Sequence, residues 1–263
     1  MIRVFLAEWR KLRRPSLFIA TMAAVVGASG LVTSLLFLLI DSRQGNARQG
    51  QIIDRTTLEL PHGLSIGFSS SAGLLGLIAL CIFASQTAQE YTHGTLRNLL
   101  VRQPRRLTLL LGKFLAMCFF TLISVILSAI ISITLAFALS GKAKVVTSAW
   151  STSDARIGVL HTFVNVLVSV IAYGAVGMIL GLLLRSPISS ISIGVAWLLV
   201  VENIIAATVK NSGKWLPGQL MNTVAAGGDF TATYSHALLV LSAYLAAGVL
   251  IASVLFRRRD VTN

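Results

Sequence analysis

Apolar runs separated by short polar stretches set the plan of this chain. Six of them, at about 15–40, 64–85, 110–139, 159–184, 188–207 and 236–256, are long enough to cross a bilayer. A spanning helix takes about 20 residues. None of the runs alternates with period two. The expected spanning element is therefore the helix, which satisfies its own backbone, and not the strand of a barrel. The third run exceeds what a bilayer requires, so its start near 107–113 is expected to project or tilt. Between the fifth and sixth runs, 208–235 is semi-polar and contains Trp215-Leu216-Pro217-Gly218. Tryptophan favours the interface and Pro-Gly breaks a helix, so short external or re-entrant helices are expected there.

Ahead of the first run, Ile2, Phe5, Leu6, Trp9 and Leu12 share one helical face, with Arg3, Arg10, Lys11 and Arg14 on the other. A basic amphipathic helix with a tryptophan lies in the membrane interface. Residues 1–14 are read as such a helix and not as a signal peptide, because the apolar run that follows is too long for one. Trp9, Arg10 and Lys11 are its candidate contact residues, facing either a cytoplasmic partner or lipid headgroups. Pro15 suits a first helical position.

Between the second and third runs, Glu90-Tyr91-Thr92-His93-Gly94-Thr95 leads into Leu96-Arg97-Asn98-Leu99-Leu100-Val101 and then Pro104-Arg105-Arg106. Gly94 suits the left-handed position that closes a helix, and Thr95 suits the N-cap of the next. Leu96, Leu99 and Leu100 fall at helical spacing. Pro104 does not continue a helix comfortably. A helix of about two turns over 95–103, with a leucine stripe and a basic surround, is predicted here.

Composition sharpens this picture. Hydrophobic residues make up 55% and charged residues only 12%, against about 25% charged in a soluble domain. The net charge of +13 does not point to nucleic acid, because the basic residues sit at the ends of apolar runs. With the N-terminus cytoplasmic, one side carries Arg3, Arg10, Lys11, Arg13, Arg14, Arg97, Arg102, Arg105, Arg106, Lys113, Arg185, Arg257, Arg258 and Arg259. The other carries Arg43, Arg48, Arg55, Lys142, Lys144, Arg156, Lys210 and Lys214. Fourteen against eight places both termini inside and makes 257–263 a cytoplasmic basic tail. Cys81 and Cys118 lie in apolar runs and read as small core residues.

Candidate chemistry is sparse. The histidines are scattered, and His93 with Glu90 alone does not make a metal site. Gly112-Lys113 and Gly141-Lys142 lack the other residues of a phosphate loop, so ATP hydrolysis is not expected of this chain. No serine elbow or zinc-protease motif is present. Glu202 is the acid deepest in an apolar run, followed by Asn203. A lipid-facing charge there is costly, so it is expected to face protein or water. It fits a polar group on a translocation path or dimer seam, and equally an acid near the outer end that is hydrogen-bonded locally. Gly174, Gly177 and Gly181 form a small-residue face for close helix packing. Ser69–Ser71 and Ser189, Ser190 and Ser192 suit back-bonding to their own helices, with pore-lining hydroxyls as the alternative.

Taken together, the basic amphipathic helix, six spans, Glu90-x-x-x-Gly94-Thr95, Leu96 to Leu100, Pro104-Arg105-Arg106, Lys113 and the ending Phe256-Arg257-Arg258-Arg259-Asp260-Val261 resemble a known family. It is the permease subunits of ABC exporters of the type-2 permease family, also called type V exporters. The resemblance covers nearly the whole chain. It implies an all-α integral membrane protein in the cell membrane, paired with a second permease copy or homologue and seated on a dimer of cytoplasmic ATPase subunits. Those subunits, not this chain, would bind ATP and Mg. It implies that Glu90 closes the second span, that Gly94-Thr95 forms the break, and that Leu96, Arg97, Leu99 and Leu100 belong to a coupling helix docking on the ATPase. It further implies that the interfacial helix touches the ATPase from the side, and that Glu202 and Asn203 lie near the central path between the two copies. The expected function is export of a hydrophobic or amphipathic compound such as a drug, antibiotic or peptide. A passive channel or secondary carrier is the alternative. It would want several intramembrane charges or broken helices in matched halves. An intramembrane enzyme would need a catalytic pair inside the spans.

Overall fold

Helices account for all the regular structure among the described residues, which are 2–40, 54–94, 106–230 and 232–258 of a computed structural model. Six helices are long and apolar enough to cross a membrane, as the six apolar runs predict. The architecture is that of an all-helical, multi-pass membrane protein. In chain order the elements are α1 (Ile2–Leu12), α2 (Pro15–Leu38), α3 (Arg55–Glu59), α4 (Gly63–Thr92) and α5 (Arg106–Ser140). They continue with α6 (Ser153–Leu184), α7 (Pro187–Thr208), α8 (Pro217–Ala226) and α9 (Tyr234–Arg258). The predicted coupling helix over 95–103 and most of the basic tail lie outside the described residues.

Several helices run past their apolar segments. α4 continues from Ser85 to Thr92 because Gln86 to Tyr91 contains no helix breaker and buries Thr87, Ala88 and Glu90. α5 begins at Arg106, and its surplus length is covered by α1 instead of projecting bare: Val4 meets Leu109, and Leu12 meets Met117. Pro15 takes the first-turn position of α2, where its missing N–H costs nothing. α9 continues to Arg258, so the tail begins within a helix.

α4 and α6 form the spine. Their glycine face allows backbone contact: a Cβ on Gly177 would strike the Leu80 carbonyl, and one on Gly174 would come within 2.8 Å of the Phe83 ring. The small-residue face of α6 thus packs inside the chain, and Ala at Gly177 would force the spine apart. α2 and α5 pack on one side of the spine, joined by a Ser29–Ser128 hydroxyl contact of 2.7 Å. α7, α8 and α9 pack on the other. Near one end, Trp150 sits edge-on to Phe37 and Phe137 and donates from Nε1 to the Leu58 carbonyl at 2.9 Å. This ties α3 to the bundle. α3 is capped by Asp54, whose carboxyl lies below its ordinary value because the Thr57 N–H and the Thr56 and Thr57 hydroxyls donate to it. The serines mostly bond back to their helices: Ser69 to Ile66, Ser71 to Phe68, and Ser190 to Ser186.

Candidate functional site

Two constellations of charged and polar side chains stand out in the bundle. The first is at the end where α1, the C-terminus of α4 and the N-terminus of α5 meet. One helical turn of α1 presents Glu8 and Lys11; the last turn of α4 presents Glu90; the second turn of α5 presents Lys113. Lys113 Nζ lies 2.7 Å from Glu90 Oε1 and 3.2 Å from Glu8 Oε2, and donates to the Gln86 carbonyl at 2.8 Å. Lys11 Nζ pairs with Glu8 and lies 2.9 Å from Glu90 Oε1. Two carboxylates and two ammoniums alternate, so the cluster is neutral. The Lys113 side chain is 2% exposed and that of Glu8 4%, while Lys11 keeps 33%. Buried charges persist only when paired and hydrogen-bonded, and this closed ring of pairs meets that condition. Burial alone would lower the Lys11 ammonium, but attraction to Glu90 and hydrogen bonding to Glu8 outweigh it and raise it above its ordinary value.

Packing seats the cluster. Val4 of α1 fits against Gly112, where a Cβ would approach to 2.7 Å. Phe5 and Trp9 meet Phe119 edge-on, with centroids 6.1 and 4.9 Å apart. Lys11 is therefore not on the solvated basic face, where the helical wheel alone places it: it turns inward with Glu8, while Arg10 stays exposed. Beyond Glu90, Tyr91 lies under the Arg185 guanidinium at 5.3 Å, a cation–π contact from the left-handed C-cap of α6. Gly94 has φ +64°, the left-handed closure expected of it. Thr95, Leu96, Arg97, Leu99 and Leu100 lie outside the described residues.

The second constellation is built around Glu202. α7 contains a π-turn, Trp197–Val201, in which the Glu202 N–H bonds back to the Trp197 carbonyl. In an α-helix, residues five apart point to different faces; the wider π-turn brings them onto one. This is why Trp197 Nε1 can donate to Glu202 Oε1 at 2.9 Å. The same carboxylate accepts from the Gly218 N–H at 2.8 Å and the Gln219 N–H at 3.2 Å. It thereby caps the N-terminus of α8, where two orphan backbone donors and the helix dipole favour an anion. Asn203 Nδ2 donates to the Leu199 carbonyl at 2.8 Å and faces that of Leu198 at 3.4 Å, supporting the irregular turn from within. Glu202 is fully buried, and Asn203 is exposed on the outer side of α7. The two adjacent residues therefore do different work. α8 itself buries Leu220, Met221 and Val224 against the spine and α9.

Glu8 and Lys113 were not singled out as a pair by sequence reasoning. The available signal is that Glu8 is the lone acid among five basic residues in the first fourteen positions. The described residues contain no group of His, Cys, Asp or Glu able to hold a metal ion. Residues 62–262, about three quarters of the chain, match the family described as Protein of unknown function (DUF2705), and the chain belongs to that family. No curated protein matches it. Glu90, Lys113 and Glu202 fall within the matched stretch; Glu8 and Lys11 precede it.

Proposed function

We propose that this member of the DUF2705 family is the permease subunit of an ATP-driven ABC exporter, moving a hydrophobic or amphipathic compound out of the cell. One observation carries the reading. Glu90, four residues before the left-handed Gly94 that precedes the leucine-rich sequence 95–103, is held by ion pairs to both α1 and α5. A push on that segment would reach α4, α5 and the amphipathic helix as one unit. Rigid transmission of that kind is what a permease driven by a separate motor requires, whereas a passive pore has no need of it. In this reading ATP and Mg bind to a dimer of cytoplasmic ATPase subunits, a second permease copy completes the path, and both termini are cytoplasmic. Glu202 holds α8 in place at the opposite side of the spine, and in this reading it and Asn203 lie near the central path or the seam between the two copies.

The test is isolation of the full-length protein from host membranes in mild detergent, followed by reconstitution. The expected result is co-purification of an ABC ATPase and ATP hydrolysis that requires both subunits. A chain that purifies without any ATPase and passes solute down a gradient without ATP would establish the channel reading instead.

A further inference from the structure

α1 carries its charges in an uneven way. Glu8, its one acid, points inward and is neutralised by Lys113 and Lys11. Its remaining arginines, Arg3 and Arg10, and the adjoining Arg13 and Arg14 are all exposed. At about 100° per residue Arg3 and Arg10 lie within roughly 20° of each other on α1, and Arg13 and Arg14 follow in the turn that joins it to α2. Among the described residues none of the four is in an ion pair. Burial of Glu8 thus leaves a face of uncompensated positive charge. Leu6, 45% exposed, lies about 40° and Ile2, 76% exposed, about 80° round the helix from Arg10, with Trp9 half-buried beyond them.

The helix also sits at a definite level. Val4 faces Gly112, and Phe5 and Trp9 face Phe119, so α1 lies against the sixth to thirteenth residues of a spanning segment that begins at Leu107. Exposed isoleucine and leucine suit acyl chains, and arginine forks suit phosphate.

We infer that the exposed arc of α1 binds anionic phospholipid headgroups of the bilayer selectively, and that the inward ion cluster creates this selectivity by removing Glu8 from the surface. The chemistry is charge-assisted hydrogen bonding of Arg3, Arg10, Arg13 and Arg14 to lipid phosphate, with Ile2 and Leu6 inserted beside it. The inference does not depend on the transport reading.

Trp9, at the rim of the arc, serves as the reporter. The full-length protein is reconstituted in phosphatidylcholine vesicles containing, at equal mole fraction, brominated phosphatidylglycerol or brominated phosphatidylcholine. Quenching of Trp9 is taken as the difference from Trp9→Phe. Quenching by the anionic lipid is expected to be about threefold the stronger. The preference should vanish in an Arg3→Gln, Arg10→Gln, Arg13→Gln, Arg14→Gln protein. It should also fade in the unaltered protein near about 1 M salt, where screening acts within about 3 Å. The salt series needs no arginine variant, so a folding defect cannot decide the outcome. Equal quenching by the two lipids in the unaltered protein would overturn the inference. So would a preference that survives the fourfold substitution. Equal quenching combined with loss of a co-purifying protein in the variant would assign the arginines to an acidic protein surface instead.

Discussion

Lys113 is the residue on which most of one end of the molecule depends. It is buried, it bridges Glu8 and Glu90, and it also bonds the Gln86 carbonyl. Removing one partner of a buried ion pair leaves a charge uncompensated, at a cost of about 3–5 kcal/mol. Lys113→Met is therefore expected to lower the thermal midpoint in detergent well below that of Lys11→Met, whose ammonium is a third exposed. Adding Glu90→Gln to Lys113→Met should restore part of the loss, because it leaves a single carboxylate, Glu8, paired with the Lys11 ammonium. Lys11 gives a pH signature. Its value is raised in the folded state, so its contribution is complete below the ordinary lysine value of about 10.4 and is lost as pH rises through the folded value. An alkaline titration of unfolding should show a loss of stability above about pH 10 that Lys11→Met lacks. None of this pairing was legible in the sequence. Glu8 and Lys113 are far apart along the chain, and a helical wheel places Lys11 with the arginines because it sees only one helix. Gly94, by contrast, was legible, since a glycine between a polar helix end and a threonine has few other uses.

At the scale of the element, α7 shows how a local rule and a tertiary one combine. The lone acid of its apolar run signalled that something must satisfy Glu202, but its partners are backbone donors of another helix and a tryptophan brought round by a π-turn. No periodicity in the run announces such a turn. Glu202→Gln keeps the shape but turns an amide NH₂ toward N–H donors. We expect a loss of about 1–3 kcal/mol of stability, seen as a lower midpoint and faster proteolysis near α8. Unchanged stability with impaired transport would instead place Glu202 on the path or seam itself. Trp197→Phe removes one donor only and should cost less. The extents of the spanning helices were legible as apolar runs, whereas their polar extensions, such as Gln86–Thr92 of α4, were not, because Thr87, Ala88 and Glu90 there are buried by neighbouring helices and not by lipid.

Across the whole molecule, α4 and α6 are the buried spine, and α2, α7 and α9 are flanks that leave most of their surface uncovered. A bundle with so much open apolar flank suits lipid and a second copy alike. Its two ends are built differently: aromatic packing around Trp150 at one, the charged lock of α1, α4 and α5 at the other. The proposed coupling segment follows Glu90 of that lock in the sequence. Six-span architecture was plain from the apolar runs; the lock was not, because it assembles from three separate segments. The most direct measurement of the central claim is ATPase retention and ATP hydrolysis in reconstituted vesicles, comparing the unaltered protein with Leu99→Asp, Leu100→Asp. Two carboxylates in a docking stripe are costly to bury, while the spans they leave untouched should still insert. The account predicts that the variant reaches the membrane folded, yet loses the ATPase or its substrate-stimulated hydrolysis. Normal assembly, hydrolysis and export by the variant would contradict it.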